Sequence, residues 1–170
     1  IIPGLVGSEM CIRDRWWGNS VTAIDPAHMW IHEGMAVYSE AMFIEDQLGY
    51  NVMIDFLLDK RKGIRNRRPI VGPSNQNYWA FGDSYNKGAW VLHTLRNVID
   101  NDNKWFSILK DFSIKNAKSH VSTQDFLNHI NKATNKDFQS IFNQYFYDHR
   151  PPTFEYYQLG NKYYYRWSNV

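Results

Sequence analysis

Residues 16–40, WWGNSVTAIDPAHMWIHEGMAVYSE, decide how this chain is read. An aromatic turn ending in Gly18-Asn19 leads, through a loop at 20–27 with a helix entry at Asp25-Pro26, into a helix from about Met29 to Leu48, which Gly49 stops. Glu33 and Glu40 are seven residues apart, about two turns, and therefore share a face. Ala36 and Val37 lie between them, and Met29, Trp30 and Tyr38 add bulk, as expected of a helix packed inside a domain. A carboxylate there is costly unless a cation or a set of donors compensates its charge, so Glu33 requires a partner. Glu40 alone would fit a solvated helix edge. Gly34, directly after Glu33, costs about 1 kcal/mol relative to Ala inside a helix, which points to a close approach to the backbone at that position.

With 170 residues, 44% hydrophobic and 16% aromatic, the chain can build one sizeable core or a large piece of a bigger one. A net charge of +2 offers no general attraction for nucleic acid or an anionic membrane, and no apolar run is long enough for a bilayer-spanning helix. Six basic residues crowd positions 60–68, but without interleaved aromatics they read as a solvated loop, not a nucleic-acid patch. Cys11 is the single cysteine, which excludes an internal disulfide and a cysteine-rich metal site. The opening IIPGLVG lacks the charged leader and apolar length of a secretory signal, and the compartment stays open.

Further along, apolar spacing predicts helices over about Val52–Lys60, Tyr85–Asp100, Lys104–Ile114, Thr123–Lys132 and Asp137–Tyr147. Ser122 with Asp125 at N3 approximates a capping box. Residues 69–84, rich in Gly, Pro and Asn, read as a long irregular connection. Trp105, Phe106, Phe126, Phe138, Phe142 and Phe146 recur near helical spacing and are expected in the core, while His120, His129 and His149 form no metal-ligand spacing. After Arg150-Pro151-Pro152, aromatic strands Phe154–Gln158 and Tyr163–Trp167 flank Leu159-Gly160-Asn161-Lys162, a two-residue hairpin turn.

Two motifs in this order resemble the zinc aminopeptidases of the aminopeptidase N and leukotriene hydrolase type, whose catalytic domains are thermolysin-like. They are Trp16-Trp17-Gly18-Asn19 with Trp30-Ile31-His32-Glu33-Gly34, and Tyr85-Asn86-Lys87-Gly88-Ala89. The resemblance covers Trp16 to about Trp167. It implies a mainly α fold: the C-terminal helical lobe of a thermolysin-like metallopeptidase domain over 16–150, then a β-hairpin over 151–170 that begins a following β-sandwich. It implies one zinc ion in the intact protein, with Glu33 as a zinc ligand. Glu40 would accept a hydrogen bond from a ligand histidine and so fix its ring. Tyr85 would be the catalytic donor to the oxyanion of the tetrahedral intermediate. The implied reaction is hydrolysis of N-terminal peptide bonds by a zinc-activated water, with a peptide as substrate and upstream domains of the same protein completing the site.

By the family's spacing, the His-Glu-x-x-His positions fall on Met10, Cys11, Ile12, Arg13 and Asp14, so both histidines and the general base are missing. Resemblance begins abruptly at Trp16, and VGSEMCIRDR looks like translated adapter sequence. Residues 1–15 are therefore expected to be foreign sequence joined to a true fragment, and the chain as it stands to be inactive, since only one ligand of a three-ligand zinc site is secure. The alternative is a catalytically dead pseudoenzyme that holds peptides in the old cleft. An unrelated helical scaffold would require both motifs to be coincidences.

Overall fold

A computed structural model describes residues 16–78 and 80–170. The reading of residues 1–15, including the zinc-motif positions 10–14, lies outside the described residues.

The architecture is mainly helical. A short strand β1 (Val21–Ala23) and a 3-10 turn (Pro26–His28) lead into α1 (Trp30–Leu48), followed by α2 (Tyr50–Arg61), α3 (Gly82–Ile99), α4 (Asp102–Lys115), strand β2 (Ser119–Val121), α5 (Thr123–Thr134) and α6 (Gln139–Phe142). A π-helical turn (Asn143–Tyr147) continues α6, and an antiparallel hairpin of β3 (Thr153–Leu159) and β4 (Lys162–Ser168) follows. Gly49 ends α1 with φ 92, and Ser122 caps α5 with both hydrogen bonds of the capping box present. The helices beginning at Tyr50 and Gly82 start two or three residues before the positions expected from apolar spacing, because their first turns are polar. Residues 20–27 are not wholly a loop. Val21–Ala23 pairs in parallel with Ser119–Val121, a contact of nearly a hundred residues' separation that local pattern does not reveal.

α1 and α3 form the centre of the helical unit. Trp30 is fully buried, its ring 4.4 Å from Phe146 and 5.7 Å from Phe126, and its Nε1 donates to Thr123 Oγ1 at 2.8 Å. Trp105 packs edge-on against Tyr38 and donates to the Tyr38 hydroxyl at 3.1 Å. Burial pushes the Tyr38 hydroxyl pKa up to about 12. Phe106 departs from the expected core set. It is 38% exposed and lies against the Arg96 guanidinium, 4.9 Å from ring centre to carbon. Arg96 in turn ties α1 to the start of α4 by taking both the Glu45 and Asp102 carboxylates in two-point contacts.

Candidate functional site

The point where α1 meets α3 is set by two glycines. A Cβ on Gly34 would stand 3.0 Å from both the Gly88 Cα and the Ser84 carbonyl oxygen, and a Cβ on Gly88 would stand 3.0 Å from the Gly34 Cα. No side chain separates the two backbones. The closeness inferred from Gly34 in a helix interior is thus a helix-on-helix contact. It brings the first turn of α1, which carries Glu33, against the first turn of α3, which carries Tyr85; both residues are half-buried. Among the described residues no hydrogen bond or ion pair holds the Glu33 carboxylate. Glu40, also half-buried, lies two turns further along α1.

The approach to α1 is fixed by the aromatic turn. Trp17 is buried, and its Nε1 donates to Ser39 Oγ at 2.9 Å, next to Glu40, while Ser39 donates to the Met35 carbonyl at 2.8 Å. His32, beside Glu33, turns away from it: its Nε2 accepts the Ala23 N–H at 2.7 Å, and burial lowers its pKa below the ordinary 6.5. His28 is bonded to Thr123 Oγ1 at 2.9 Å. Both imidazoles of this stretch therefore anchor the loop to the helices.

The start of α3 holds two residues that the sequence reading passed over. Asp83 is buried and accepts the backbone N–H groups of Arg65 and Asn66, each at 2.7 Å, so the basic loop is clamped to the turn that carries Tyr85. An acid in the first turn of a helix was the available signal. Phe81, just before α3, holds φ at 50 and is exposed, with Arg68 stacked 5.5 Å from its ring centre. Lys87, inside the Tyr85–Ala89 motif, is buried, and burial lowers its pKa.

No group of three His, Cys, Asp or Glu side chains that could hold a metal ion exists among the described residues. Glu33 supplies one carboxylate at this end of α1, and among the described residues no second and third ligand stand beside it.

This mainly helical unit, with a glycine-on-glycine crossing between a Glu-bearing and a Tyr-bearing helix, has the fold of the helical lobe of metallopeptidases. Residues 8–145 match the peptidase family M1 domain, and the chain belongs to that family. It is 32% identical over 121 residues to human endoplasmic reticulum aminopeptidase 2, covering 64% of this chain and 13% of that protein. It is 28% identical over 141 residues to rat glutamyl aminopeptidase, covering 75% of this chain. The chain spans only 13% and 14% of the lengths of these two relatives. Among solved structures, the M1 zinc metallopeptidase of Deinococcus radiodurans superposes with a TM-score of 0.73 at 21% identity, over 85% of this chain and 33% of that one. Aminopeptidase A of Legionella pneumophila gives 0.70 at 23% identity, over 87% of this chain and 17% of that one. Native yeast LTA4 hydrolase gives 0.67 at 20% identity, over 82% of this chain and 25% of that one. At these identities the structures speak for the fold.

Proposed function

We propose that the chain is the helical part of the catalytic domain of a zinc aminopeptidase, and that Glu33 and Tyr85 are its contributions to the active site. The observation that carries this reading is the Gly34–Gly88 contact, which holds the Glu33 and Tyr85 turns against each other although 52 residues separate them. Glu33 would be one zinc ligand, with the remaining ligands and the general base supplied by residues that the described part does not contain. Bound zinc in such sites polarises a carbonyl and lowers the pKa of a bound water.

This chain's own groups then have definite tasks. The Tyr85 hydroxyl would donate a hydrogen bond to the oxyanion, stabilising charge that develops only in the transition state. Asp83, by fixing the loop to the first turn of α3, would hold Tyr85 in place. Glu40 would accept a hydrogen bond from a ligand histidine and hold its ring and tautomer, aided by the Trp17–Ser39 bond that pins the preceding turn beside it. Peptide would be the substrate, cleaved at its N-terminal residue, in company with upstream domains.

The test is to express the gene product with its upstream sequence and measure zinc content and release of N-terminal residues. Zinc-dependent release, abolished by chelator, is expected. Peptide binding without cleavage by a product lacking His-Glu-x-x-His would instead establish the pseudoenzyme. Sequencing the source locus decides the proposed boundary at Trp16. The family match runs back to residue 8, so the locus must be read through residues 1–15: continuous genomic codons there would make them native.

A further inference from the structure

Between α2, α3 and the turn after α6 lies an open cavity of about 310 Å3, at the small end of volumes that receive ligands. Arg61, Asn66, Lys87, Trp90, Gln144 and Arg150 line it. The three cations have donors to spare. Lys87 is 7% exposed, and its Nζ donates only to the Asp148 carbonyl, at 3.2 Å, which leaves two N–H groups of a buried ammonium without a protein acceptor among the described residues. Arg61 makes no side-chain hydrogen bond among the described residues. Its guanidinium lies 5.9 Å from the centre of the Trp90 ring, which is itself held by donation from Nε1 to the Leu57 carbonyl at 2.7 Å. Arg150 engages the Asp148 carboxylate through Nε and Nη2, and its Nη1 remains available.

Asp83 and Asp148 offset two of the three positive charges but leave these donors unused. Asp148 is taken by Arg150, and the Asp83 carboxylate is taken by two backbone N–H groups. Their fields favour the charged Lys87, but burial outweighs them and its pKa is lowered. A buried ammonium short of acceptors is costly, and an anionic ligand would relieve that cost.

We propose that this cavity binds a small anion bearing phosphate or carboxylate groups, held by Lys87, Arg61 and Arg150 with Trp90 as one wall. The site is separate from the turn assigned to catalysis. Lys87 lies two residues after Tyr85 on α3, and residues so spaced do not share a face. Its other flank is Arg150-Pro151, where the helical unit joins the hairpin, so occupancy would stiffen that junction.

The experiment is calorimetric titration and thermal unfolding of the full chain with inorganic phosphate, with citrate and with chloride, all at one ionic strength to remove general screening. Saturable binding with a raised unfolding temperature is expected for phosphate, citrate or both, and none for chloride. The preferred ion distinguishes phosphate from carboxylate chemistry. Arg61→Gln and Lys87→Met should each weaken binding by about tenfold, the ordinary size of a lost charged hydrogen bond. Arg61 is exposed, so its variant should fold even if the buried Lys87 variant does not. Equal effects of chloride, or an Arg61→Gln protein that binds as tightly as the parent, would overturn the proposal.

Discussion

At the level of single residues, Glu33 and Tyr85 should fail differently when altered. Under the roles proposed above, in the product expressed with its upstream sequence, Tyr85→Phe would keep the ring and remove one donor to the oxyanion, so kcat should fall by about 10²–10³ with zinc content unchanged. Glu33→Ala should lose the metal itself. Zinc analysis beside kinetics separates the two, and full kcat in Tyr85→Phe would make Tyr85 a packing residue. Gly34 offers a test that needs no catalysis. Its added methyl would meet the α3 backbone at two points, Gly88 Cα and Ser84 O at 3.0 Å, which cannot swing aside as a side chain can. Gly34→Ala should therefore destabilise the chain by about 1–3 kcal/mol in urea unfolding, more than the roughly 1 kcal/mol that alanine gains in helix propensity. A neutral or stabilised variant would show that the two helices can separate freely.

At the level of elements, the helices are held partly by histidines that fold in their neutral form. Burial lowers the pKa of His28, His32 and His93 below the ordinary 6.5. For His93 the neighbouring Arg96 acts in the same direction, and its Nδ1 is buried with no hydrogen-bond partner among the described residues. Below pH 6.5 the unfolded chain therefore binds more protons than the folded one, and stability should fall as pH drops from neutral through the folded pKa values. The carboxylates with lowered pKa act only further down, below their ordinary 3.8–4.5. Urea midpoints between pH 7.5 and 5 should show this decline, and His93→Phe should reduce its slope while leaving stability at pH 7.5 no lower. An unchanged slope would remove His93 from the account.

The elements also show what was readable in the sequence. Helix positions followed from apolar spacing, Gly49 and the Ser122 cap, because those signals are local. The Gly34 reading was legible because a helix interior has no local use for glycine. Three features were not legible. The β1–β2 pair depends on a partner about a hundred residues away. Asp83 was signalled only as an acid in a helix's first turn, and no side-chain pattern announces that it binds backbone N–H groups of the preceding loop. Phe106 has core spacing but is exposed, its ring lying against the buried Arg96 guanidinium, a partner 10 residues earlier that apolar spacing does not register.

For the whole molecule, the hairpin is the element least tied to the rest. Its strands pair along their full length from Thr153↔Ser168 to Leu159↔Lys162, yet nearly every residue in them is exposed. Phe154, Tyr156, Tyr165 and Trp167 cluster on one face, and Tyr157 stacks on Tyr164 at 5.0 Å on the other. Exposed aromatic rows of this kind suit a sheet built to be covered, and we propose 151–170 as the first hairpin of a β-sandwich, with 16–150 as the helical unit. A lone hairpin is marginally stable in water, and its cross-strand ring pairs, worth roughly 0.2–1 kcal/mol each, act within it and not between it and the helices. Ending the chain after Arg150 should therefore leave the helical unit intact, with an unfolding temperature by circular dichroism at 222 nm within about 2 °C of the parent, a shift that corresponds to about 0.5–1 kcal/mol at this size. Amide exchange in the full chain should agree, with β3 and β4 exchanging long before α1 and α3. A loss of helical signal on truncation, or hairpin amides protected as strongly as those of α1, would show that the aromatic faces support the helices and would move the proposed domain boundary away from residue 150.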